Sequence, residues 1–151
     1  MKQLIILLLV LTGFQAHSQP LEEMEYVLRY GIIKGGKAKL KATPDTYNGQ
    51  KVIHYYMQAH TIGLPDKLYS VNDVYESFVD PVTFLPRAAI RNIKEQKYRY
   101  YNLVLFDQDA DSIYSKRTGP MKVPNNLIDI LGVFFYLRQH AMLDQISLEK
   151  E

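Results

Sequence analysis

The sequence predicts a mainly β fold of the α+β class: a curved antiparallel meander sheet packed around one apolar C-terminal helix, an incomplete barrel. Three observations carry this. Short runs with period-two alternation recur along the chain, separated by turn residues. Tyrosine occurs twelve times and tryptophan never, a bias towards β structure. Near the end the alternation gives way to Leu127–Leu137 (LIDILGVFFYL), whose only charge is Asp129. A length of 151 residues allows one domain, and 47% hydrophobic against 23% charged residues is an ordinary globular composition. A formal charge of +2 gives no reason to expect nucleic acid. The absence of cysteine excludes disulfides, zinc-thiolate sites, iron–sulfur clusters and a thiol nucleophile.

Residues 1–18 read as a signal peptide. Lys2 precedes the apolar run Leu4–Leu11, and Ala16 and Ser18 fit the two small positions of a cleavage site. A spanning helix needs roughly 20 apolar residues, so cleavage near Ser18 is favoured over a short uncleaved anchor. The remaining single domain, 19–151, is then expected outside the cytoplasm, in the periplasm or secreted.

The strands follow in order. Glu25–Ile33 and Gly36–Ala42 flank an expected turn at Lys34-Gly35, where glycine tolerates positive φ. In the second of these, Ala38, Leu40 and Ala42 alternate with Lys37, Lys39 and Lys41, giving one dry and one wet face. Asp45–Gln50 is a turn, then Lys51–Ile62 is a long strand with Ile53, Tyr55 and Met57 on one face and His54, Tyr56 and His60 on the other. Gly63-Leu64-Pro65-Asp66 breaks it and opens one helical turn through Leu68. Val71–Val79, Pro86–Glu95, Lys97–Asp107 and Ser112–Arg117 complete seven strands, with Asp107–Asp111 as a hairpin loop.

Pro124-Asn125-Asn126 signals a helix start, with Asn126 as cap and Asp129 three residues on. At helical spacing Asp129, Gly132, Val133, Tyr136 and His140 share a stripe, while Ile128, Leu131 and Phe135 lie elsewhere. A helix apolar nearly all round is expected to be buried on most sides, anchored by Leu131, Phe134 and Phe135. Asp129, Tyr136 and His140 from the helix and Tyr56 from the long strand are the residues expected to face a ligand. Asp129 reads either as a capping charge or as a ligand contact, with capping favoured.

Gly31–Ala38, with its GIIKGGKA spelling, resembles the opening hairpin of the exported bacterial proteins called domain of unknown function 3108. Asp73–Asp80 followed by Leu85-Pro86 is similar to a second stretch of that family. Asp129-Ile130-Leu131 with Phe135–Arg138 resembles its helix, Gly132 standing where a serine is usual. The resemblance implies an exported β-rich domain with no established activity. It also implies further strands beyond this helix, so the chain reads as the N-terminal half of such a domain.

Chemistry-bearing patterns are few. Asp107, Asp109 and Asp111 begin like a calcium loop, but Ser112 and Thr118 stand where a glycine and a bidentate glutamate belong. His54 and His60, six residues apart on one strand, are roughly 20 Å distant and cannot share a metal. No serine lies in a G-x-S-x-G elbow, and Asp73 and Glu76 face opposite sides of a strand, so with Asp80 they form no glycosidase pair. Tyr98, Tyr100 and Tyr101 suit cross-strand pairing, and Lys37, Lys39 and Lys41 a solvated face. No catalytic residue, cofactor or metal ligand is assigned. The functional expectation is a non-catalytic exported protein that binds an apolar or lipid-like ligand between sheet and helix. The cup is similar, at the level of fold alone, to that of periplasmic lipoprotein carriers. The alternative is an envelope interaction module that uses an open sheet edge, with self-association through the same edge. A hydrolase comes third.

Overall fold

The computed structural model describes residues 21–138; the expected leader and His140 lie outside them. Eight strands form a single antiparallel sheet whose spatial order is the sequence order. They are β1 (Glu22–Tyr30), β2 (Ile33–Tyr47), β3 (Gln50–Thr61), β4 (Asn72–Val79), β5 (Pro86–Glu95), β6 (Tyr98–Asp107), β7 (Ser112–Ser115) and β8 (Gly119–Lys122). A short helix, α1 (Gly63–Leu68), links β3 to β4. A second, α2, begins at Ile130 and is described over 130–138. The sheet is an open meander and does not close into a barrel.

The alternation in β2 works as expected. Leu40 and Ala42 are buried on one face. On the other, Lys39 and Lys41 meet Glu23 of β1 at 2.5 and 3.1 Å. Three local expectations need correction. The first hairpin turns at Gly31-Ile32, not at Lys34-Gly35. Gly35 is instead the extra residue of a bulge opposite Leu28 and Arg29, and a Cβ on Gly36 would stand 3.1 Å from the His60 carbonyl oxygen. Those glycines serve a bulge and a close backbone approach rather than a turn. The second turn is only Asn48-Gly49, both at positive φ, so β2 is longer than expected and β3 begins and ends one residue earlier. An eighth strand, Gly119–Lys122, pairs with β7 where the sequence suggests only a loop.

One cross-strand row organises the core. Glu22, Ala42, Tyr55, Ser77, Ala89 and Val104 stand opposite one another from β1 to β6. Helix α2 lies across the strands along this row. Asp129 meets Ser77 on β4, the Phe135 ring stacks on Tyr55 of β3 at 4.1 Å, and Arg138 pairs with Glu22 of β1. Nine residues of helix advance about 14 Å, which matches about 14 Å for three strand spacings. The described helix therefore covers the β1–β4 half of this face. Leu131 and Phe135 join Leu40, Ala42, Tyr55 and Val79 in the core.

The expected burial of α2 on most sides is not found. Only the Leu131, Gly132, Phe135 stripe is buried, while Ile130, Val133, Tyr136 and Leu137 are exposed. Phe134, expected as an anchor, lies edge-on to Phe135 and remains 37% exposed. A helix lying on one sheet has one buried side, and no described element packs on its outer side.

Candidate functional site: the cup beside the helix start

The start of α2 is fixed by Asp129. Its Oδ1 accepts the Gly132 N–H at 3.1 Å, and its backbone carbonyl accepts the Val133 N–H at 2.9 Å, so Asp129 is itself the N-cap. The expected cap, Asn126, has φ 54 and lies outside the helix. The lead-in segment is pinned from the β6–β7 turn, where Gln108 Nε2 donates to the carbonyls of Pro86 and Leu127. Asp129 Oδ1 also accepts the hydroxyl of the fully buried Ser77 at 3.0 Å. Burial pushes the Asp129 carboxyl above its ordinary value, against the pull of these hydrogen bonds. The Tyr55 hydroxyl is pushed up to about 12, first by burial and then by the Asp129 charge.

Cavities open on both sides of this helix start. One, about 300 Å³, is lined by Tyr75, Ala89, Arg91, Asn102, Val104 and Asp129 among others. The other, about 220 Å³, is lined by Tyr55, Phe84, Leu85, Ile128, Gly132 and Tyr136 among others. Two of the expected ligand-facing residues, Asp129 and Tyr136, therefore sit in cavity walls. Tyr56 does not join them. It lies on the opposite face of β3 from Tyr55, its hydroxyl 3.4 Å from Gln58 Oε1. On that outer face His54 contacts Glu76 at 2.9 Å and stacks on Phe78.

The larger cavity holds residues that sequence reasoning misses. The Arg91 guanidinium lies 5.6 Å from the Tyr75 ring centre and 5.4 Å from that of Tyr100. Arg117, from the β7–β8 turn, lies 4.5 Å from the same Tyr100 ring. Among the described residues neither arginine has a carboxylate within ion-pair distance. Asn102 Oδ1 accepts the Ser115 hydroxyl at 3.1 Å, which leaves its amide N–H groups to donate elsewhere. The cavity wall thus holds one cationic donor, Arg91, together with the acidic residues Asp129 and Glu76 and apolar surface from Ala89 and Val104, while Arg117 and Tyr100 stand next to Arg91 outside the lining. One signal could have found it. Arg91 occupies an inward position of β5 between Ala89 and Ile93, where alternation calls for an apolar residue. No cluster of three or more metal-ligating side chains occurs among the described residues.

Residues 25–149 match the family described as protein of unknown function, DUF3108. The chain belongs to the DUF3108 family. No curated protein and no solved structure matches it. In this DUF3108 member the residues that carry the resemblance hold the scaffold. Gly31 makes the first turn, Gly36 allows the approach of β3, and Asp73 accepts the Lys94 N–H. Asp80 accepts the Val82 and Thr83 N–H groups, and Arg138 ties α2 to Glu22.

Asp80 gives a pH-dependent test of this scaffold. The two backbone donors, joined by Arg87 at 2.6 Å, hold its carboxyl down at about 2 against an ordinary 3.8. A carboxyl depressed in the fold stabilises above its unfolded value, and that contribution disappears as pH falls through the folded value. Asp80→Asn should therefore cost about 1–2 kcal/mol at neutral pH, the exposed side of the pair being screened. The loss should vanish by about pH 2. Urea midpoints taken across pH read it directly; a constant difference down to that pH would contradict it.

Proposed function

We propose that this DUF3108 protein is an extracytoplasmic, non-catalytic binding module for a small amphiphile with an anionic end. The apolar part of the ligand lies between the sheet and the start of α2, against Ala89, Val104 and Ile130. Its anionic end meets Arg91, with Asn102 and Arg117 beside it. The observation that supports this reading is the arrangement of two arginines over one tyrosine ring without a carboxylate partner among the described residues. Two guanidinium groups at one ring favour an anion at that end of the cavity, which Asp129 and Glu76 also line. The apolar share of the walls is what an acyl chain would need.

The test is displacement of a fluorescent fatty acid from the purified chain. Loss of a charge-assisted hydrogen bond, about 1.5–3 kcal/mol, should make Arg91→Gln bind the probe at least about tenfold more weakly. Ala89→Phe, which fills the cavity, should abolish binding while the circular dichroism spectrum is retained. A wild-type protein that neither binds the probe nor carries lipid from its host would remove the reading. Equal affinity of Arg91→Gln and wild type would remove the arginine from it.

A second reading, pairing with another envelope chain through a sheet edge, draws on one contrast. Among the described residues β1 pairs only with β2, along nine residues, whereas β8 at the other edge is four residues long and contains Pro120. A short edge with proline is protected from strand addition, and a long one is open to it.

A further inference from the structure

The β1–β2 hairpin tip and α1 meet at one end of the sheet, roughly 20 Å along β3 from the row that carries the cup. The two are joined by the Ile62 N–H, which donates to the Gly35 carbonyl at 3.1 Å. This end is unusually apolar for a surface. Ile32 is 99% exposed and Tyr30 89%, and Leu28, Ile33, Leu64 and Leu68 are exposed beside them. It is also one-sided in charge. Arg29, Lys34, Lys37 and Lys67 lie in the same two segments, 28–37 and 62–70, whose one carboxylate is Asp66. That carboxylate is engaged, accepting the Thr61 hydroxyl at 2.7 Å.

Charge pairing changes abruptly along β2. Lys39 and Lys41 are neutralised by Glu23 and Glu25. Among the described residues Lys37, Lys34, Arg29 and Lys67 have no such partner. A monomer gains nothing from leaving isoleucine and tyrosine in water at a hairpin tip, so exposure of this kind marks a contact surface. The charges decide which one. Four unpaired cations around an apolar wedge complement a surface that is anionic outside and apolar beneath.

We infer that this end of the protein is a peripheral membrane contact, with Tyr30, Ile32 and Ile33 entering the interfacial layer of a bilayer. Arg29, Lys34, Lys37 and Lys67 then rest on anionic headgroups. Tyrosine suits the headgroup level because its ring is apolar and its hydroxyl wet. The contact is interfacial: a two-strand tip buries a few side chains, far less than a spanning segment. The inference uses a different end of the sheet from the cup and stands whether or not the cup binds an amphiphile.

Sedimentation of the full chain with phosphatidylcholine vesicles, with and without phosphatidylglycerol, tests it. Binding is expected to the anionic vesicles at physiological salt and to fall steeply when salt is raised. A basic residue near an anionic surface contributes roughly fivefold, so the double substitution Lys34→Gln and Lys37→Gln should weaken binding about 25-fold. Ile32→Ser should weaken it at least about tenfold through lost apolar insertion. Lys51→Gln, at the far end of the sheet, should leave it unchanged. All of these positions are exposed, so each variant is expected to fold, and circular dichroism confirms it. Equal binding to both vesicle types, or to neither, would overturn the inference. So would a dimer in analytical ultracentrifugation that Ile32→Ser dissolves, since the tip would then belong to a second copy.

Discussion

Phe135→Ala should cost about 3–5 kcal/mol and leave little folded protein at physiological temperature. The ring is 1% exposed, stacks on Tyr55 at 4.1 Å, and shares its cluster with Leu40, Ala42, Val79 and Leu131. It is the main apolar link between α2 and the sheet, and a whole domain has only about 5–15 kcal/mol to lose. Phe134→Ala is the matched comparison, because the same side chain one position away is 37% exposed. That substitution should cost about 1 kcal/mol. Urea unfolding at constant m-value measures both. Equal losses would mean that the helix does not dock by its Phe135 face.

Asp129→Ala should cost about 2–4 kcal/mol by removing two things at once. It deletes the cap that holds the Gly132 N–H, and it leaves the fully buried Ser77 hydroxyl without its acceptor. Asp129→Asn keeps an oxygen in place and should stay within about 1 kcal/mol of wild type at neutral pH. The two variants differ further with pH. Burial raises the Asp129 carboxyl above its ordinary 3.8, so the folded state holds this proton more firmly than the unfolded chain does. Its contribution is complete below 3.8 and is lost as pH rises through the folded value. Asp129→Asn removes that dependence, so it should look worst in acid and best at neutral pH. A flat difference between the Asp129→Asn variant and wild type across that range would show that the carboxylate is solvated.

Where neighbours in sequence decide the structure, expectation and structure agree. Pro86–Glu95 has the same bounds in both, and the long strand after Asn48-Gly49 differs by one residue at each end. Gly35-Gly36 misleads because glycine permits both a positive φ and a close backbone approach, and local sequence does not separate them. Strand β8, spelled GPMK, carries no alternation and exists through its pairing with β7. The helix start falls at Asp129 rather than Asn126, although both are good caps by residue type. What selects Asp129 is Ser77, 52 residues away.

The site shows the same division. Helical spacing is enough to reach Asp129 and Tyr136, and both line cavities. It is not enough for Tyr56, because period-two alternation defines two faces of β3 without saying which one the helix covers. Arg91, Tyr100 and Arg117 converge only through the β4–β5–β6 register and the β7–β8 turn.

A sheet whose strands neighbour one another in chain order can zip up hairpin by hairpin, each step closing a short loop at small entropic cost. Helix α2 is different. It follows all eight strands, and its ties to Ser77 and Glu22 close spans of 52 and 116 residues. During synthesis the sheet can therefore assemble while its apolar face at Leu40, Ala42 and Tyr55 still meets water, awaiting one late helix. The folding problem of this protein is concentrated in that single docking step, and the interval before it is when the nascent sheet is most open to chaperones or to aggregation.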